Sequence, residues 1–254
     1  MGRMPTLKIA ESPAPGLPSA AERGAFAAVA HRGDPYVCRE NTLASVRSAL
    51  RAGADAVEID VRLTRDGVPV LLHDATLERL WGHDRPLAAL TADELRGLTG
   101  GRVPTLREAL ALGGTGTAGE ASGWRLFIDL PDPSAAEATV AEVRASGAAG
   151  RVYYCGGTAA MLAVRRADAE AEIALTWTTL APPRAALLGR VRPRWLNYRF
   201  GLVSPELVAR NHAQGLLVSA WTADTRLTMR RLLAAGVDAI TTNRIGALRS
   251  LSPR

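Results

Sequence analysis

Two patterns alternate along most of this chain. Short β-branched, apolar runs close on polar residues, and between them lie Ala-, Leu- and Arg-rich stretches whose apolar positions recur every three or four residues. The first pattern is that of strands buried on both faces, and the second that of amphipathic helices laid over them. Strands are predicted at Phe26–His31, Ala56–Val61, Pro69–His73, Arg125–Asp129, Val152–Cys155, Ile173–Trp177, Trp195–Tyr198 and Leu217–Trp221, with Ala239–Thr242 as a short closing element. Helices are predicted over Thr42–Ala52, Ala92–Gly97, Leu106–Ala111, Ser134–Ser146, Thr158–Ala167, Pro183–Leu188, Pro205–Gln214 and Thr225–Ala235. Asn41 or Thr42 heads the first of these as an N-cap, and Ser204-Pro205-Glu206 opens another.

Strand and helix in strict alternation build a parallel sheet with crossover helices, and 254 residues suit a single (β/α)8 TIM-type barrel. One connection breaks the rhythm. Thr64-Arg65-Asp66-Gly67 is too short for a helical crossover, so Pro69–His73 is expected to return antiparallel to the strand before it, with His73 roughly opposite Glu58. Residues 1–24, with Pro13, Pro15, Gly16 and Pro18, read as a flexible leader, and residues 25–254 as the barrel domain. The leader has no apolar core of the kind a secretory signal needs, which leads us to expect a cytoplasmic protein. Gly113 to Gly119 lacks the lysine and the strand-to-helix frame of a phosphate-binding loop and reads as a flexible connection.

Bulk composition narrows the function classes. Hydrophobic residues make up 47% of the chain at a mean hydropathy of +0.02, and no apolar run has the length of a membrane span, so stable membrane insertion is not expected. Leu80-Trp81 is the one candidate for a hydrophobic docking loop. Cys38 and Cys155 are expected as reduced thiols. The net charge of +6 comes almost entirely from arginine, Lys8 being the sole lysine, and favours anionic small molecules. Pairs such as Arg165-Arg166 and Arg230-Arg231 sit on amphipathic helices without interleaved aromatics, which argues against nucleic-acid binding. Nothing in the sequence assigns an oligomeric state.

Candidate chemistry is concentrated between His31 and Asp74. Glu58 and Asp60 lie two apart in the apolar run Ala56-Val57-Glu58-Ile59-Asp60-Val61, so on a strand both carboxylates project from one face and repel unless a cation joins them. Oxygen-only ligands favour Mg²⁺ or Ca²⁺. His31-Arg32-Gly33 and His73-Asp74 add two imidazoles that titrate near neutral pH and a guanidinium suited to phosphate oxygens. His83 and His212 have no such company and are expected to be solvated.

In order and spacing, His31-Arg32-Gly33, Glu40-Asn41-Thr42, Glu58-Ile59-Asp60-Val61, Thr64-Arg65-Asp66-Gly67 with Val68-Pro69-Val70, and His73-Asp74 resemble the motifs of the glycerophosphodiester phosphodiesterase family, a phospholipase-C-like barrel. Weaker echoes are Val103 to Leu110, Ala220-Trp221-Thr222 and Gly236 to Asn243. The resemblance implies metal-dependent cleavage of a small glycerophosphodiester to glycerol 3-phosphate and an alcohol. Glu58, Asp60 and Asp129 would hold one Mg²⁺ or Ca²⁺, and His31 and His73 would act as acid and base. Arg32, Glu40 and Trp221 would contact the substrate, and a hydroxyl beside the ester oxygen could attack first to give a cyclic phosphate. The chain departs from the family where Glu-x-Lys is usual, reading Asp129-Leu130-Pro131, and also at Cys155-Gly156 and Arg39. With the lysine gone, Arg32, Arg125 or Arg199 would have to carry its charge. The competing expectations are headgroup cleavage of the lysophospholipase D or sphingomyelinase D kind, and a barrel that binds phosphodiesters without turning them over.

Overall fold

The computed structural model describes residues 26–113 and 123–251. The whole of the expected leader, residues 1–24, and the glycine-rich connection after Gly113 lie outside the described residues. β1 (Ala27–Ala30), α1 (Leu43–Arg51) and β2 (Ala56–Leu63) open the fold. β3 (Pro69–Leu71), β4 (Thr76–Leu77), α2 (Glu78–Trp81), β5 (His83–Pro86), α3 (Ala92–Thr99) and α4 (Leu106–Ala111) form an excursion before β6 (Arg125–Asp129). The alternation then continues through α5 (Ala136–Ala145), β7 (Val152–Gly156), α6 (Thr158–Ala167), β8 (Ile173–Trp177), α7 (Ala185–Val191) and β9 (Trp195–Arg199). It ends with α8 (Pro205–His212), β10 (Leu217–Trp221), α9 (Arg226–Ala234), β11 (Ala239–Thr242) and α10 (Ile245–Arg249).

Eight parallel strands, β1, β2 and β6 to β11, close into a barrel because β1 pairs with β11 from Ala27↔Ala239 to Ala30↔Thr242 and with β2 at Val29↔Ala56. The expected closing element is thus a full member of the ring. β3 is antiparallel to β2, as expected, but the register differs from expectation by one residue: Val61 faces Leu71 and Leu63 faces Pro69. The cause is the turn. Thr64 N–H donates to the Val68 carbonyl at 3.1 Å, so the loop holds only Arg65, Asp66 and Gly67, with Gly67 left-handed at φ 79°. Continued, that register sets His73 against Ile59 rather than Glu58. The ladder instead ends with Leu72 N–H bonded to the Asp60 carbonyl, and His73 leaves it to line the cleft.

Side chains two apart on the strands fill the barrel. Ala27, Val29, Ala56, Phe127, Tyr153, Cys155, Ala174, Trp195 and Ala239 pack inside, with Phe127 and Tyr153 stacked at 4.2 Å. The next inward positions toward the C-terminal ends are polar: Glu58 and Asp60, Asp129, Thr176, Asn197 and Thr241. An apolar plug therefore supports a polar mouth, the end at which such barrels place chemistry. The intervening residues, such as Val57, Ile59, Leu126 and Ile128, pack outward under the helices. A separate small core, Val70, Leu72, Leu77, Leu87, Leu90, Leu95 and Val103, lies within the excursion after β3. The hairpin of β4 and β5, the short α2 and α10 were not anticipated, and the expected helix at Ser134 begins as a 3₁₀ turn over Pro133–Ala135.

Candidate active site

The loop after β1 is held in an unusual path. Arg32 and Asn41 both adopt positive φ, 57° and 54°, and Gly33 sits at φ 87° against α1, where a Cβ would come within 2.4 Å of Ser45 Oγ. Only glycine fits there. This path turns Arg32 N–H onto Glu58 Oε2 at 2.9 Å, and it lets Asn41 donate to Asp60 Oδ2 at 2.7 Å while accepting from Asp60 N–H at 3.1 Å. Thr42, not Asn41, caps α1, its hydroxyl accepting from Ser45 N–H. Asn41 is thereby free to orient the carboxylate.

Glu58, Asp60 and Asp129 each offer a carboxylate oxygen, and these oxygens lie within 4.8 Å of one another. The register explains it: Asp60 and Asp129 are directly paired across β2 and β6, and Glu58 projects from the same face two residues back. Burial, reinforced by the charges of Asp60 and Asp129, pushes the Glu58 carboxyl well above its usual range. Burial and then Asp60 push Asp129 up to about 6. Cys155 donates its thiol to Asp129 Oδ1 at 3.5 Å, and burial raises that thiol, so it stays protonated and no thiolate competes as a soft ligand. Three mutually repelling acids with hard oxygen donors fit a divalent cation, which would remove the repulsion.

His31 and His73 line the same cleft, of ≈ 520 Å³, together with Arg32, Pro131 and Trp221. His31 Nδ1 lies 2.8 Å from Asn243 Oδ1, while Asn243 gives both its backbone N–H and its side-chain amide to Asp224 at 2.8 Å. With the amide nitrogen committed to Asp224, the oxygen must face the ring, so Nδ1 carries the proton and Nε2 is left as an acceptor in the cleft. Nε2 stands 4.0 Å from Glu58 Oε2. Burial, and next the charge of Arg32, lower the pKa of this imidazole. His73 Nδ1 is 2.7 Å from Asp74 Oδ1. Arg79 Nε donates to Asp74 Oδ2 and its terminal nitrogen to Glu40 Oε1, both at 2.6 Å, and Glu40 Oε1 also accepts from Arg32 at 2.9 Å. A continuous chain therefore runs from His73 through Asp74, Arg79 and Glu40 to Arg32.

Several expectations change in detail. Glu40 is not aimed at the cleft but tethers two arginines; burial alone would raise its carboxyl, and hydrogen bonds from Arg79 and Arg32 outweigh that and lower it. Arg32 is engaged by Glu40 and lies 3.2 Å from Asp60 Oδ2, so its guanidinium is not a free fork. Arg125 pairs with Glu172 at 2.8 Å at the opposite end of the barrel and cannot replace a lysine at Pro131. Arg199 lies over the Trp221 ring at 5.9 Å. His212 is exposed, as expected, and also pairs with Asp238 at 2.7 Å, while His83 is half-buried and contacts the Leu98 carbonyl at 3.1 Å. Asn243, Asp224 and Arg79 were not anticipated as site residues.

Residues 31–247 match the glycerophosphoryl diester phosphodiesterase family. The chain belongs to that family. Human glycerophosphodiester phosphodiesterase 1 is 40% identical over 101 residues, a stretch that covers 35% of this chain and 30% of that protein. The glycerophosphodiester phosphodiesterase of Caldanaerobacter subterraneus subsp. tengcongensis is 29% identical over 233 residues, covering 85% of this chain and 93% of that one. An Oleispira antarctica phosphodiesterase, solved in complex with the product sn-glycerol-3-phosphate, superposes with a TM-score of 0.75 at 25% identity, covering 91% of this chain and 98% of that structure. In this chain Asp129 meets Glu58 and Asp60, and Arg32 lies 3.2 Å from Asp60 Oδ2.

Proposed function

We propose that this family member hydrolyses a glycerophosphodiester to sn-glycerol 3-phosphate and an alcohol. The observation that carries the reading is the meeting of two oriented imidazoles with three carboxylates in one cleft. Glu58, Asp60 and Asp129 would hold Mg²⁺ or Ca²⁺, which when bound supplies positive charge beside a non-bridging phosphoryl oxygen.

The protein's own groups account for the proton transfers. His31, neutral and with Nε2 exposed to the cleft, takes the proton of the attacking water, or of a neighbouring substrate hydroxyl whose cyclic phosphate water then opens, as its oxygen bonds to phosphorus. Asn243 and Asp224 hold that tautomer. His73, turned by Asp74, gives a proton to the alkoxide as the phosphorus–oxygen bond to the alcohol breaks. Arg32 keeps positive charge beside the developing phosphorane. The decisive experiment is release of sn-glycerol 3-phosphate from glycerophosphocholine, set beside choline release from lysophosphatidylcholine. Loss on exhaustive chelation and recovery with Mg²⁺ or Ca²⁺ is expected; full turnover without any divalent cation would refute the role of the three acids.

A further inference from the structure

Among the described residues, the large apolar side chains that stand exposed are Tyr36, Val37, Leu180, Phe200 and Leu227, from 41% at Phe200 to 80% at Leu227. Each follows the C-terminal end of a barrel strand. Tyr36 and Val37 lie between β1 and α1, Leu180 between β8 and α7, Phe200 directly after β9, and Leu227 in the first turn of α9, after β10. In the closed barrel β8, β9, β10, β11 and β1 are consecutive neighbours, so these loops form one arc of the rim. Single exposed apolar residues are ordinary on any surface, but their confinement to one arc of one face is not.

The same arc carries five exposed arginines, Arg39, Arg184, Arg199, Arg226 and Arg244, of which Arg39 lies over Trp81. Arg199 stacks over Trp221 and Arg244 over Tyr36, at 5.9 and 4.8 Å. The acids of the arc are largely committed elsewhere: Asp34 to Ser48, Glu40 to Arg32 and Arg79, and Asp224 to Asn243, leaving Glu206 exposed. Leu80 and Trp81, by contrast, pack on the small core after β3, and Trp81 is covered by Arg39 and Arg102 at 4.4 and 5.1 Å. The docking candidate visible in the sequence is therefore occupied.

We propose that the β8-to-β1 arc is a docking surface for an anionic phospholipid bilayer, on which the protein adsorbs with its cleft facing the headgroups. Guanidinium groups interleaved with apolar side chains match a layer of anionic headgroups over hydrocarbon better than either type of residue alone. The contact proposed is adsorption through this rim; no helix of the described residues is long and apolar enough to cross a membrane. This reading does not depend on which phosphodiester is cleaved.

The test is co-sedimentation of the full chain with vesicles of phosphatidylcholine alone or mixed with phosphatidylglycerol. Binding to the mixed vesicles and not to the neutral ones is expected, weakening with salt. Arg184→Glu and Arg226→Glu should each lower the partition coefficient at least about fivefold, the worth of one surface cation. Leu180→Asp and Leu227→Asp should lower it by about tenfold. Arg51→Glu, at the end of α1 on the opposite face of the barrel, is the control and should bind as wild type, and unchanged melting temperatures establish that every variant is folded. The proposal is overturned by equal binding to both lipids, by no binding, or by rim variants that bind as wild type. An equal loss in Arg51→Glu, which would mark mere net charge, overturns it too, as does light scattering in which the rim variants split a dimer while vesicles remain unbound.

Discussion

Replacing Asp129 by Asn should make the metal-free protein more stable and catalytically dead. The folded carboxyl titrates at about 6 against an ordinary 3.8. Below about pH 3 both folded and unfolded forms are protonated and the group costs nothing. As the pH rises from there, the unfolded chain releases its proton first, and stability falls until the folded carboxyl has ionised near pH 6. A shift of this size corresponds to about 3 kcal/mol, and partial contact with solvent at the cleft trims it to about 2–3 kcal/mol. Glu58, raised in the same direction, extends the loss to higher pH. Urea denaturation in excess chelator should therefore find Asp129→Asn and wild type close together near about pH 3 and the variant ahead by about 2–3 kcal/mol near about pH 8. Mg²⁺ at about a thousandfold excess over Kd should reverse that order, since ligand bound only to the folded state then adds about 4.1 kcal/mol. A variant that is no more stable than wild type at alkaline pH, or a gap that does not change with pH, would refute the electrostatic account of the acid cluster.

Two further outcomes follow from the imidazoles. His31→Ala and His73→Ala should each lower kcat by about 10²–10⁴-fold with little change in melting temperature, and near wild-type turnover in either variant would remove that residue from the chemistry. Asn243→Asp places a carboxylate where an amide oxygen now meets Nδ1, which raises the pKa of His31; the acid limb of kcat/KM should move up by about one unit, and an unmoved profile would refute His31 as the base.

The parts of the site that could be read in advance are local ones. Glu58 and Asp60 share a face because a strand repeats every two residues, and no tertiary information is needed to see it. Asp74 stands beside His73 in the chain, and it does orient that ring. What pattern alone cannot supply is contact between ends that meet only on closure. Asn243 reaches His31 across a separation of 212 residues, because β11 is the neighbour of β1. Arg79 sits on α2, a single turn between two strands too short and polar to carry a periodic signal. The His73 register was missed by one residue because a three-residue loop with a left-handed glycine and a four-residue turn look alike in composition. Glu40 and Arg32 carry the right chemistry in the sequence, yet only their mutual hydrogen bond reveals that they restrain one another.

The small core after β3 gives the two imidazoles footings of unequal strength. His31 follows a strand sealed into the ring on both sides, whereas His73, past Leu72, rests on a unit closed by seven apolar side chains of its own. Sub-global opening of such a unit costs less than melting the ring beneath it. Heat inactivation should then set in below the calorimetric transition and reverse on cooling, and a proteolytic nick between β4 and β5 should silence turnover while the barrel stays folded. Amide exchange would register the difference as faster labelling at Leu77 and Leu87 than at Val29 or Val57.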